Sequence, residues 1–184
     1  MKIACIGWGS LVWRPEGLPI QRKWYSDGPM LPLEFARQSR DGRLTLVITQ
    51  NATPVRTLWA LMSTDDIEEA KRSLLNREGI PQKRLSNFIG SVESDEKTDD
   101  PIKSEIKGWL NHLDLDAAIW TNLPPKFKGD NDRTPTLPEA IAYLNSLDIN
   151  ARHLAEEYIR KAPKQIDTEY RQGFEKEFGW TYTV

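Results

Sequence analysis

The chain is expected to fold as α+β, with strands crowded into its first half around a mixed or barrel-like sheet and helices filling its last third. Three observations carry this. Short apolar runs of strand length recur at residues 3–6, 33–37, 44–49 and 55–62. After Pro138 the apolar residues return at helical spacing. With 184 residues, 39% hydrophobic and 28% charged, the chain is long enough and apolar enough to bury a core.

The elements follow in order. Ile3-Ala4-Cys5-Ile6 has the length of a buried strand and ends in Gly7-Trp8-Gly9-Ser10, after which Leu11-Val12-Trp13 is apolar again. Glycines at 7 and 9 let the backbone turn sharply, and the amide N–H groups of such a turn can hold a carboxylate or a developing oxyanion. Pro15, Gly17 and Pro19 mark a turn-rich connection. Residues 33–37 and 44–49 read as strands joined through Arg40-Asp41-Gly42, and residues 55–62 as one further strand with Pro54 at its start. Ser63-Thr64-Asp65-Asp66 is a helix-start signal, a hydroxyl cap followed by acids, and Ile67, Ala70, Leu74 and Leu75 continue it at helical spacing. Gly79 and Pro81 end that helix.

Residues 83–92 read as a strand, 93–101 as an acidic loop, and Ile102, Ile106, Trp109, Leu110 and Leu113 as one face of a helix. Residues 117–121 form a short buried strand, and the four prolines of 124–138 predict a long irregular loop. The final third predicts three helices, one led by Pro138, one with the stripe Leu154, Ala155, Tyr158 and Ile159, and one over 163–178. No domain boundary or repeat interrupts the pattern.

Composition narrows the functional classes. With 25 basic and 27 acidic side chains the formal net charge is −2, so nothing in the charge balance favours nucleic acid or an anionic membrane as a partner. The one cysteine, Cys5, rules out an internal disulfide framework and a cysteine metal cluster. No stretch nears the ~20 apolar residues of a membrane span, and Met1-Lys2 runs straight into the first strand without the pattern of a signal peptide, so a cytoplasmic location is expected.

Several chemistries lack their residues. There is no phosphate-binding Gly-x-x-x-x-Gly-Lys-Ser/Thr loop, and Gly7-Trp8-Gly9 lacks the third glycine of a dinucleotide fingerprint. Ser10 is outside a Gly-x-Ser-x-Gly elbow, and the two histidines, His112 and His153, fall in separate helical patterns, so neither a serine triad nor a metal site is expected. Glu78 stands out in Asn76-Arg77-Glu78-Gly79, because an acid at a helix C-terminus opposes the helix dipole. Most of the tryptophans fall in apolar patterns, while Trp8 lies inside the glycine loop.

Taken together these residues carry a resemblance. Ile6-Gly7-Trp8-Gly9-Ser10-Leu11-Val12-Trp13-Arg14-Pro15 resembles the opening of the γ-glutamylcyclotransferase-like superfamily, nearest its ChaC branch, whose first strand runs into Gly-Tyr-Gly-Ser-Leu-Ile-Trp-Arg-Pro. Trp8 replaces the usual tyrosine, and its indole is a hydrogen-bond donor only. Downstream, Ser39-Arg40-Asp41-Gly42 is similar to the family's strand-turn segment. Leu74-Leu75-Asn76-Arg77-Glu78-Gly79 resembles the helix end that bears its catalytic glutamate, and Tyr143-Leu144 is similar to its Tyr-Leu element. The likeness spans residues 3–92 and, more loosely, 101–147. Residues from about 148 form a divergent helical part of what is expected to be one domain over 1–184.

The resemblance implies a small mixed β-barrel with flanking helices and an enzyme that needs no metal or cofactor. Such enzymes release 5-oxoproline from a γ-glutamyl amine or peptide: the substrate's α-amine attacks its own γ-amide carbonyl and closes a five-membered ring. Glu78 would act as general acid/base, and Gly7, Trp8, Gly9, Ser10 and Leu11 would bind the substrate, with the Gly9, Ser10 and Leu11 amides cradling a carboxylate or oxyanion. The alternative is a family member without catalysis that binds a small ligand or a protein partner.

Overall fold

The computed structural model describes residues 1–21 and 23–183; Arg22 and Val184, which the expected 1–184 domain includes, lie outside the described residues. In chain order the elements are β1 (Ile3–Gly7), α1 (Ser10–Trp13), β2 (Met30–Gln38), β3 (Leu44–Ile48), β4 (Pro54–Arg56), β5 (Leu58–Leu61), α2 (Ile67–Arg77), α3 (Leu85–Phe88), β6 (Ile89–Glu93) and α4 (Pro101–Leu113). They continue with β7 (Ala117–Thr121), β8 (Lys126–Phe127), β9 (Asp130–Asn131), α5 (Leu137–Ser146), α6 (Ile149–Lys161) and α7 (Glu169–Phe178). The chain is therefore α+β. Its strands form two mixed sheets, ordered β5-β1-β7-β6 and β3-β2-β8-β9 with β4 also paired to β2, and not the closed barrel anticipated from sequence. The backbone gathers into two compact units, one of Met1–Gly7, Arg14–Leu31 and Arg56–Leu123, the other of Trp8–Trp13, Pro32–Val55 and Pro124–Val184.

The first unit is built around β1. All five of its residues are buried, which suits a central strand covered on both faces. It runs antiparallel to β5 and parallel to β7, and β7 pairs antiparallel with β6. Helices α2 and α4 pack on this sheet through Ala70, Leu74, Leu75, Ile106 and Leu110, all fully buried. The cap of α2 is Asp66, whose carboxylate accepts the Glu68 and Glu69 amides, and not the hydroxyl expected from sequence; Thr64 bonds the Asp66 amide instead. Asp100 caps α4 in the same manner.

Two expected strands are broken. The run 55–62 divides at Thr57, which is fully buried, donates its amide and hydroxyl to the Pro29 carbonyl, and accepts the Gly28 amide. Those bonds take the place of a sheet ladder, so β4 and β5 join different sheets. Of residues 83–92 only the end is extended: Gln82–Arg84 form a 3₁₀ turn and α3 follows, leaving β6 from Ile89. The proline-rich segment after β7 does carry structure, the minimal hairpin β8–β9.

In the second unit β2 and β3 pair antiparallel, with a bulge between Phe35 and Arg37, and turn at Gly42, whose φ of +87° suits glycine. Phe35, Tyr158 and Phe174 meet edge to face in the core, joining the sheet to α6 and α7. A capping box between Thr136 and Glu139 starts α5. In α6, Ala155, Tyr158 and Ile159 are buried as expected, but Leu154 is 40% exposed. The last helix starts only at Glu169. Pro163 and the Thr168 cap set that boundary, and buried Arg171 gives its guanidinium to the carbonyls of Ala162, Pro163 and Ile166. Among the described residues no helix is long and apolar enough to cross a membrane.

The start of α7 is tied to β2 by a buried carboxylate. Glu34 Oε1 accepts the Thr168 hydroxyl at 2.6 Å and the Phe35 amide at 2.9 Å, and Oε2 accepts the Tyr170 amide at 3.2 Å. Burial pushes the Glu34 carboxyl up to about 7, against the pull of these three donors. Between about 4.5, its ordinary value, and about 7 the folded chain holds a proton that the unfolded chain has released. Stability from this group is thus full below pH 4.5 and is lost as pH rises through 7. Glu34→Gln, which stays neutral, should gain stability relative to wild type between pH 5 and 7.5, by on the order of 1–3 kcal/mol in urea melts. An unchanged difference across that range would rule out the titration.

Candidate functional site

Glu78 is the C-cap of α2, in the first unit. Its amide N–H closes on the Leu74 carbonyl, Gly79 follows at φ +64°, and the Gly79 and Ile80 amides return to Asn76 and Leu75. This is a Schellman ending, in which glycine takes the left-handed position and the last carbonyls are satisfied. The local fold therefore fixes where the Glu78 backbone stands, despite the unfavourable dipole.

Its side chain is 19% exposed and pairs with the Arg77 guanidinium at 2.6 Å. Arg77, 10% exposed, also donates through Nε and Nη2 to the Arg14 carbonyl at 3.1 and 2.6 Å. One guanidinium thus orients the carboxylate and grips the Arg14–Pro15 peptide. Glu78 is also felt by β1. Burial pushes the Cys5 thiol up, the Glu78 charge adds to that, and Arg77 opposes it. Cys5 is fully buried and held as a neutral thiol, which suits packing and not nucleophilic chemistry. Gly7, the last residue of β1, pairs with Leu58 of β5 in this same unit.

Trp8, Gly9, Ser10 and Leu11 belong to the second unit. The turn expected from sequence becomes a single helical turn, α1, with the Val12 amide closing on the Gly9 carbonyl at 2.9 Å. The Gly9, Ser10 and Leu11 amides, where the sequence leads one to expect an anion cradle, stand at the start of this turn. Trp8 is only 6% exposed and packs into the core as Trp59 and Trp120 do, whereas Trp13 and Trp109, also expected there from their apolar patterns, are half-buried. Its indole N–H donates to the Leu46 carbonyl at 3.1 Å, while the Leu46 amide donates to the Tyr158 hydroxyl at 3.3 Å. That hydroxyl lies against Gly9, where an added Cβ would overlap it. Trp13 meets the Tyr158 ring edge to face, and the Arg43 guanidinium stacks on it at 5.3 Å.

A pocket of about 90 Å³ also lies within the second unit, lined by Glu34, Thr49, Asn51, Ala52, Thr53, Thr134, Glu169 and Tyr170. The Thr49 and Thr134 hydroxyls bond across it at 2.9 Å, and the Tyr170 hydroxyl donates to the Pro135 carbonyl. Among the described residues no group of three or more His, Cys, Asp or Glu is placed to hold a metal. His112 and His153 are both exposed, on α4 and α6.

Sequence reasoning missed two residues. Tyr158 reads as one member of an apolar helical stripe, and only its hydroxyl distinguishes it from a core residue. Glu34 carried a usable signal, a lone acid inside the apolar run Leu31-Pro32-Leu33-Glu34-Phe35-Ala36. Comparison with family models, curated proteins and solved structures finds no match to this chain. The tie between Trp8 and β3 is open to direct measurement. Trp8→Phe leaves the buried Leu46 carbonyl without its donor and should cost about 1–3 kcal/mol by chemical denaturation; a loss under about 0.3 kcal/mol would show that the bond contributes nothing.

Proposed function

We propose that this chain is a γ-glutamylcyclotransferase-like enzyme that releases 5-oxoproline from a γ-glutamyl amine or peptide. The observation that carries the reading is the setting of Glu78. It is an acid placed against its helix dipole, four-fifths buried, and aimed by an arginine that also holds the residue after Trp13. The decapeptide from Ile6 to Pro15 supports the reading separately, through the family likeness of its sequence and backbone amides of a kind suited to an anion.

The reaction asks little of the protein beyond positioning. The α-amine nitrogen of the γ-glutamyl group bonds to its own γ-carbonyl carbon, and the bond from that carbon to the leaving nitrogen breaks. Because both partners lie in one molecule, the enzyme needs only to fold the substrate and relay its protons. Two protons leave the α-nitrogen, one before attack and one from the ring nitrogen after it; Glu78 relays each of them to the leaving nitrogen, which departs as an ammonium ion, so atoms and charge balance without any further reactant. The Gly9, Ser10 and Leu11 amides hold the substrate carboxylate or the oxyanion of the tetrahedral intermediate. Gly7 ends the strand at the head of that turn, and Trp8 anchors it to β3.

Incubation with a panel of γ-glutamyl amines and peptides, with 5-oxoproline as the readout, tests this. Wild type should release 5-oxoproline from at least one of them. Glu78→Gln should keep the melting profile and lose about 10²–10⁴-fold in kcat. Full activity in that variant would remove Glu78 from the mechanism, and a silent panel with wild type would remove the activity.

A further inference from the structure

Three parts of the second unit converge on one phenol. The Tyr158 hydroxyl accepts the Leu46 amide from β3 and lies against the Gly9 backbone, while its ring packs on Trp13 of α1 and Phe35 of β2. Tyr158 is 5% exposed, so the hydroxyl is fixed by packing and not by chance rotation. Leu46 completes the arrangement, because its carbonyl takes the Trp8 indole. The segment from Trp8 to Trp13 is thereby clamped between β3 and α6. Any movement of Gly9 toward α6 is stopped by an oxygen atom, and any movement away breaks packing at both Trp8 and Trp13. Backbone amides bind an anion well only when they are held in place before it arrives.

We propose that Tyr158 is a positioning residue: its hydroxyl sets the path of the Gly9, Ser10 and Leu11 backbone that receives the ligand, which makes α6 part of the binding apparatus. The ligand class, a γ-glutamyl compound, rests on the function proposed above, whereas the clamp itself does not. The clamp also assigns a role to the C-terminal segment, where the family resemblance of the sequence ends. Residues from 148 on are then not an appendage, since one of their side chains shapes the turn after β1.

The geometry offers a test that a generic packing role would not satisfy. Tyr158→Phe keeps the ring and removes the oxygen nearest to a side chain built at Gly9. Amide hydrogen exchange at Gly9, Ser10 and Leu11 should rise by about tenfold or more, with the amides of β7 unchanged. On whichever γ-glutamyl compound wild type turns over, KM should rise about tenfold while kcat changes less than about threefold. Gly9→Ala presses a methyl onto the hydroxyl from the other side and should lower the melting temperature; adding Tyr158→Phe should recover part of that loss. Unchanged exchange in Tyr158→Phe, or strictly additive losses in the double variant, would overturn the proposal even if both singles are merely less stable. If wild type turns over nothing in the panel, the function proposed above fails by itself, and exchange and the double variant still decide the clamp.

Discussion

Leu46 lies in β3, at the edge of its sheet, opposite Phe35 of β2. In an antiparallel pair alternate residues turn both their N–H and C=O away from the partner strand, and at an edge those groups need another partner. Here the N–H goes to the Tyr158 hydroxyl and the C=O to the Trp8 indole. One buried residue therefore recruits, through its two backbone groups, a side chain from the turn after β1 and another from α6. The close approach then forbids a side chain at residue 9, and the aromatic contacts of Trp13, Phe35 and Phe174 grow outward from the same phenol. Glu34 extends the order to α7 by accepting donors from its cap and first turn. Much of the second unit can be traced to satisfying an open strand edge.

The first unit solves a different problem. Its central strand is buried along its whole length and covered on both faces. A Schellman ending fixes the Glu78 backbone, and Arg77 uses the five donors of a guanidinium to hold the carboxylate and the Arg14 carbonyl together. An acid at that end of a helix is locally unfavourable by under ~1 kcal/mol, and its ion pair offsets the cost. The cyclisation we propose would ask such a site for orientation and proton relay but for no nucleophile from the protein.

Several elements were legible because their signals are local. Gly79 takes its left-handed position in place, and β1 and β7 are short apolar runs. Where the reading failed, a distant partner decided. Thr57 divides a run that looks continuous, because Gly28 and Pro29 compete for its backbone. Residues 85–88 coil into α3 although their composition allowed a strand. Leu154 keeps the helical spacing of its stripe but falls at the margin of the buried face.

The candidate site divides in the same way. Glu78 was visible from sequence because its oddity, an acid before a capping glycine, is written in adjacent residues. Gly9 and Ser10 were visible because a Gly-x-Gly turn after an apolar run is itself unusual. Tyr158 was not, since its significance arises only when the chain folds so that its hydroxyl meets the amide of Leu46, 112 positions earlier. By itself the sequence determined the α+β class, the apolar first strand, the turn that follows it and the helix end at Glu78. Tertiary structure alone decided that the strands split into two sheets, that Trp8 points inward, and that a tyrosine from α6 braces Gly9. The physical reason is common to all three: short-range periodicity and capping are encoded by neighbours, whereas the pairing of a strand edge depends on which distant polar group reaches it.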